Sequence, residues 1–354
     1  MSGLVIPHFG LARQYKNIGE ELLDATHRAL KDGQLVGGHY TRSFEEWLKF
    51  RTTTKYAVTV HSGTQALEII ARYKKIKHSQ TMEGNPKVRL PNITYPATLN
   101  AFLSAGWDVD LGDTDQNGIL HHDNRVGGIY DCVVGFAGLR PWPNSNYHDS
   151  HGVIVDGAQH WLVCGGMVGS GMAISFDPTK NLPSSGNGGA IVTNDHHLYL
   201  FASSYRDNNK PSFHDVGTNS KMSEQDCAQI LVRTKYLEEW QKRRGDIAKY
   251  WCEQFKELPL RCLSDTKDPH AHQKFVMYLP DRNSLHTHLS TVGIDSKIHY
   301  EYVLGDLPTA KNLKKPDMLS TGVMLSRGVI SLPMYPELTD NEIQYIADKV
   351  KSFY

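Results

Sequence analysis

Short apolar runs alternate with longer segments of helical period through the first two-thirds of this chain, and that alternation leaves few folds open. Strands that are apolar throughout need cover on both faces, and helices lying between them in the chain supply it. Tyr56–Val60, Val88–Leu90, Asp108–Gly112, Cys132–Phe136, Val153–Val155, Ala173–Phe176 and Ala190–Thr193 read as the strands. Residues 18–32, which stop at Gly33, residues 42–51, the segment opening at Thr64 and residues 97–105 read as helices. The pattern predicts an α/β fold with a mainly parallel sheet. Beyond about residue 222 the texture changes. One long helix is expected over 223–255, with Lys242-Arg243-Arg244 on its exposed side, then a strand at 274–279 and a helix at 282–291. A polar loop at 305–320, a strand at 329–332 and a helix at 341–353 close the chain. We therefore expect a large α/β domain over 1–240 and a smaller α+β domain over 241–354.

Charge and composition remove several functions. Thirty-eight basic residues balance thirty-eight acidic ones, so no global field draws the molecule to nucleic acid or to an anionic membrane. No stretch approaches the roughly 18 unbroken apolar residues of a membrane helix. Met1-Ser2-Gly3-Leu4 lacks the basic start and apolar run of a secretory signal, and the five scattered cysteines form no CxxC pair; a cytoplasmic protein with reduced thiols is expected. The histidine clusters His121-His122-Asp123, His148-Asp149-Ser150-His151 and His196-His197 lack the HExxH spacing that sets two ligands on one helical face. No metal site is expected.

Three other segments carry chemistry. Lys180 follows the apolar run ending at Phe176 and precedes a turn rich in Gly and Ser (184–189). An amine there is suited to imine formation, because its aldehyde partner needs close backbone approach; the ordinary reading is a surface lysine. Asp156 ends an apolar strand, in Val153-Ile154-Val155-Asp156-Gly157-Ala158-Gln159. A carboxylate desolvated there needs a partner. A pyridinium nitrogen would serve, and so would a helix N-terminus or a metal. Ser62-Gly63-Thr64 joins a strand to a helix, which offers free N–H groups and hydroxyls to a phosphate; most such turns are plain N-caps. No GxxxxGK[ST] or GxGxxG pattern is present.

The order of these elements is more specific than any one of them. A phosphate turn, Tyr95 after a strand, Asp156-x-x-Gln159 and then Ser175-x4-Lys180 resembles the DegT/DnrJ/EryC1/StrS family of sugar aminotransferases. Pro91–Thr98, Ser175–Leu182, Gly188–Asp195, Gly217–Met222, Gly293-Ile294, His299-Tyr300 and Ser331–Pro336 extend the likeness over nearly the whole chain. The resemblance implies a fold-type-I architecture: a mixed, mostly parallel seven-stranded sheet between helices, with a smaller C-terminal α+β domain. It implies pyridoxal 5′-phosphate (PLP) held as an internal aldimine on Lys180, and the pyridoxamine form (PMP) between half-reactions. Asp156 would pair with the ring nitrogen, Gln159 would approach the phenolic side and Tyr95 would stack on the ring. Gly63, Thr64 and Ser175 would hold the phosphate, with Asn219 reaching it from the second subunit of a homodimer. His299 and Tyr300 would touch the substrate.

Some positions depart from the family pattern. Asn187 stands where Glu is usual, Lys221 where Arg is frequent and Gly135-Phe136 where a histidine is common, while His160-Trp161 replace small residues. The implied reaction moves an amino group from an amino acid, L-glutamate, to a nucleotide-linked 4-keto-6-deoxyhexose. Alternatives are a keto-cyclitol aminotransferase, a non-catalytic binding protein on the same fold, and, were the resemblance misleading, a metal-dependent hydrolase. A PLP dehydratase of the family would carry histidine in place of Lys180.

Overall fold

The computed structural model describes residues 5–121, 129–142, 152–213, 215–265, 267–317 and 320–354. Two histidine clusters of the sequence, at 122–123 and 148–151, lie outside them.

The chain opens with helices α1 (Leu11–Asp32) and α2 (His39–Thr52), then alternates β1 (Tyr56–Val60), α3 (Gly63–Ser79), β2 (Lys87–Pro91), α4 (Pro96–Ser104) and β3 (Asp108–Gly112). Strands β4 (Ile129–Val134), β5 (Val153–Asp156), β6 (Met172–Ser175) and β7 (Gly189–Thr193) follow. Together they form a seven-stranded sheet of order β1-β7-β6-β5-β4-β2-β3, in which β7 alone runs against its neighbours. Successive side chains go to opposite faces, and both faces are covered. Cys132, Ile154, Ala173 and Ile191 join one core with Leu67, Ile70 and Phe102 of α3 and α4. Val133, Val155, Ile174 and Val192 join another with Phe44 and Leu48 of α2. That double cover is why these strands read as unbroken apolar runs.

The remainder comprises α5 (His196–Tyr205), α6 (Glu224–Thr234), α7 (Leu237–Phe255), β8 (Arg261–Cys262), β9 (Phe275–Tyr278), α8 (Arg282–Thr291), α9 (Thr321–Gly328), β10 (Val329–Leu332) and α10 (Asp340–Lys351). Strands β10, β9 and β8 form a separate antiparallel sheet. Its core gathers Trp251 and Phe255 of α7, Leu285 of α8 and Ile346 of α10, and Ile6 from the N-terminal segment also enters it.

Two expectations need correction. The single helix over 223–255 is two, broken at Lys235-Tyr236, where Tyr236 adopts φ −99° and ψ −7° and its hydroxyl bonds Glu21 of α1. Arg244 is not on an exposed face: it is buried and donates to Met334 O at 2.6 Å. It lies four residues after Trp240 and three before Ile247, both core-facing, and that spacing puts it on the inner stripe. Between the polar stretch at 305–320 and β10 lies α9, which the sequence did not announce.

Candidate active site

The parallel strands deliver their carboxyl ends to one edge of the sheet, the usual place for a site in such folds. Asp156 is the last residue of β5, Ser175 the last of β6, and the Ser62 turn follows β1. Because β7 runs the other way, Gly189 at its start lies opposite both Ser175 and Val60. A cavity of about 440 Å³ opens there. Gly63, Thr64, Tyr95, Asp156, Gln159, Ser175, Lys180, His299 and Tyr300 all line it. Asn219 does not. It is exposed, pairs with Asp207 through an isolated bridge, and accepts from Lys221 Nζ at 3.0 Å.

The Ser62 turn is built to approach. Ser62 Oγ accepts the Gln65 N–H at 3.1 Å and so caps α3. A Cβ on Gly63 would fall 2.7 Å from Ser175 Cβ, so only glycine lets the helix N-terminus come this close to β6. The Gly63 and Thr64 N–H groups sit at the positive end of α3, beside the Ser175 hydroxyl, an arrangement suited to a phosphate.

Asp156 and Lys180 share the cavity but are not paired with each other. Asp156 Oδ2 accepts from Thr98 Oγ1 at 2.8 Å and Oδ1 from the Ala158 N–H at 3.1 Å. Burial pushes its pKa up, against those two hydrogen bonds and the attraction of Lys180. Burial pushes Lys180 down, against the attraction of Asp156 and Asp177. Each charge is thus disfavoured where it sits, and a cationic ring nitrogen at Asp156 or a carbonyl at Lys180 would relieve it.

Gln159 Oε1 accepts the Ala137 N–H at 3.0 Å. Burial raises the Tyr300 phenol above its ordinary pKa, Asp156 adds to the rise and Gln159 opposes it by a hydrogen bond. His299 Nδ1 meets Ser331 Oγ at 2.9 Å, and burial with nearby lysines lowers it to about 2, so the imidazole is neutral. Tyr95 immediately precedes α4 and is 58% exposed, its ring 6.1 Å from that of Tyr300. Behind Gln159, His160 is fully buried and its Nδ1 accepts the Gly135 N–H at 3.1 Å.

Among the lining residues to which sequence reasoning gave no role are Phe9, Thr98, Asn187 and Lys274. Thr98 and Asn187 stood in motifs already singled out. A lysine at the head of an otherwise apolar strand was the available sign for Lys274. Phe9 is separated from the rest by too much chain to be legible.

The donor set fits PLP: hydroxyls and helix N–H groups for the phosphate, a buried carboxylate for the ring nitrogen and an amine for the aldehyde. Residues 16–126 and 149–351 match the model of the DegT/DnrJ/EryC1/StrS aminotransferase family. A dTDP-3-amino-3,4,6-trideoxy-alpha-D-glucose transaminase of Streptomyces venezuelae is 27% identical, over 98% of this chain and 96% of its own. The crystal structure of S. venezuelae DesV in complex with a ketimine intermediate superposes with a TM-score of 0.89 at 24% identity, covering 99% of this chain and 98% of that one. That of NtdA from Bacillus subtilis, with bound cofactor PMP, gives a TM-score of 0.87 at 21% identity, covering 99% and 85%. Among the described residues no metal-binding cluster is present, and no helix is long and apolar enough to cross a membrane.

Proposed function

The chain belongs to the DegT/DnrJ/EryC1/StrS aminotransferase family, and from that premise we propose that it uses PLP to move an amino group from an amino acid to a nucleotide-linked keto sugar. One observation carries the reading: Asp156, Lys180 and the N-terminus of α3 face a single cavity. L-glutamate is the proposed donor and a 4-keto-6-deoxyhexose nucleotide the proposed acceptor. The transaminase names of the relatives support a sugar acceptor.

PLP, when bound, supplies an electron sink for the carbanion left when a substrate Cα loses its proton. The protein's own groups do the rest. Gly63, Thr64 and Ser175 would hold the phosphate and fix the ring's direction. Asp156 would hold a proton at the ring nitrogen, its geometry set by Thr98 and Ala158. Lys180 would bond the cofactor at rest and, once displaced, carry the proton away from the substrate Cα. Its lowered pKa favours the neutral amine that such a base must be. Tyr95 would cover one ring face, Gln159 would meet the phenolic side, and His299 and Tyr300 would contact the acceptor. Asn219 lies off its own chain's cavity, which accords with its reaching a second copy's phosphate in a homodimer.

The purified enzyme should be yellow, and borohydride should fix the cofactor to Lys180 and not to Lys274. Lys180→Ala should lower turnover by at least about 10⁴-fold, the scale of losing an essential nucleophile and base, while the circular dichroism spectrum stays unchanged. Transamination by Lys180→Ala at the original rate would sink the mechanism.

A further inference from the structure

The cavity holds a second lysine that this mechanism leaves without a task. Lys274 is 8% exposed. Its backbone N–H donates to Ala137 O at 3.1 Å; its amine donates to the Gln273 side-chain oxygen and, at 3.5 Å, to Gln159 Oε1. An ammonium has three donors, and the third has no partner among the described residues. Both partners are neutral amides, and among the described residues no carboxylate lies at ion-pair distance. A buried ammonium is expensive unless something brings it negative charge. The charged and titratable groups facing it are Lys180 and Asp177 beyond β6, Arg244 of α7, and the neutral imidazoles of His8 and His299. Cations outnumber carboxylates, and burial first, then the charge of Lys180, pushes the Lys274 amine well below its ordinary pKa.

The order of strand ends bears on what that anion would be. Across the sheet edge come the phosphate turn after β1, then β7, β6 with Ser175 and the Lys180 loop, β5 with Asp156, and β4, three residues beyond whose end Ala137 bonds both Gln159 and Lys274. In pyridoxal phosphate the phosphate arm and the phenolic oxygen flank the aldehyde carbon on opposite sides. With the ring nitrogen held at Asp156 and the phosphate at the β1 turn, the phenolic oxygen would be directed toward β4. That is the flank Lys274 occupies.

We propose that Lys274 pairs with the phenolic oxygen of the bound cofactor and thereby lowers the proton affinity of the nitrogen that links it to Lys180. The proposal rests on the PLP reading above. A cation beside that oxygen holds it as the phenolate and repels a proton on the neighbouring nitrogen. The linkage then gives up its proton at lower pH and can take one from the ammonium of an incoming amino acid, leaving that amine free to attack. Lys274 is thus a group tuned to the cofactor rather than to the acceptor sugar.

The test is the absorbance of the bound cofactor followed against pH in the wild-type, Lys274→Met and Lys274→Arg holoenzymes. The midpoint between the protonated and unprotonated linkage should rise by about one pH unit or more in Lys274→Met, as expected for losing a cation within a few ångströms. In Lys274→Arg it should stay near the wild-type value. Should the Met variant fail to hold cofactor, Lys274→Gln gives the same comparison. An unmoved midpoint in a Met or Gln variant that holds cofactor overturns the proposal, whether or not the KM for the acceptor rises. If the wild-type enzyme forms no such chromophore, the PLP reading falls with it; a chromophore without a shift sinks the role of Lys274 alone.

Discussion

A Cβ on Gly135 would sit 2.3 Å from the Leu139 carbonyl oxygen and 2.4 Å from the His160 ring, so two departures from the family pattern meet in space. The imidazole that follows Gln159 occupies space that any other side chain at 135 would claim, and its Nδ1 accepts the Gly135 N–H in return. Its Nε2 has no partner among the described residues. Burial, and then the charge of Arg140, lower the ring's pKa to about 3. The folded value lies below the unfolded 6.5, so as pH falls the unfolded chain takes the proton first. Stability from this group is complete above about pH 6.5 and drains away toward pH 3. Between pH 7.5 and 5.5 the loss is about 1 kcal/mol. In His160→Asn the amide oxygen can still accept the Gly135 N–H but nothing titrates. Urea unfolding at the two pH values should therefore show a pH-dependent loss smaller by about that amount in the variant; equal losses would contradict the assigned cause. Neither departure was interpretable in sequence, because the residues are 25 positions apart and become neighbours only when β4 and β5 pair.

At the scale of elements, α2 has no capping side chain of its own: Gly38 is its N-cap. Glu224, in the first turn of α6, reaches across instead. It is buried and accepts the N–H groups of Gly38 at 2.9 Å, Tyr40 at 2.8 Å and Thr41 at 3.0 Å. One carboxylate thus satisfies three donors that the helix leaves open and positions Phe44 and Leu48 against the sheet. Glu224→Ala would leave those donors buried and unpaired and should cost about 3 kcal/mol or more. Glu224→Gln keeps one accepting oxygen but turns an NH₂ toward donors, and should cost about half as much. The denaturation midpoints give the ranking; an alanine variant as stable as wild type would refute the cross-cap. From sequence, Glu224 was only an acidic residue near a helix start, because its partners lie more than 180 positions earlier. The same distance hid α9, whose Thr321 and Gly322 N–H groups are held by Asp113 and whose two glycines argue against a helix. Helix α5 was hidden differently. Its histidines and aromatics are weak helix formers, although Asp195, which accepts the His197 and Leu198 N–H groups, was a readable cap. The inner strands were legible for the opposite reason: β5, β6 and β7 are covered on both faces and buried at every residue.

At the scale of the molecule, the part of the site that lies along consecutive strand ends was legible as motif order, and the part brought in by remote segments was not. Phe9 and Lys274 reach the cavity from segments far apart in the chain, and no local pattern connects them to Asp156. Asn219, proposed to act across a subunit boundary, raises the same issue. It lies off its own cavity, at the surface, next to Lys221, which is also bonded to Asp207. If it completes the phosphate site of a second copy, activity belongs to the dimer, and two different defects should complement. Lys180→Ala breaks a site from within its own chain. Asn219→Asp preserves an oxygen for Lys221 but sets a negative charge beside the neighbour's phosphate, so it breaks the site across the boundary. In a hybrid dimer both defects fall in one site and the other is intact. Two inactive homodimers, mixed under conditions that exchange subunits, should then recover about a quarter of wild-type activity, since half the dimers are hybrid and each has one working site. Were Asn219 to act within its own chain, each hybrid site would carry one defect and the mixture would stay as inactive as its parents.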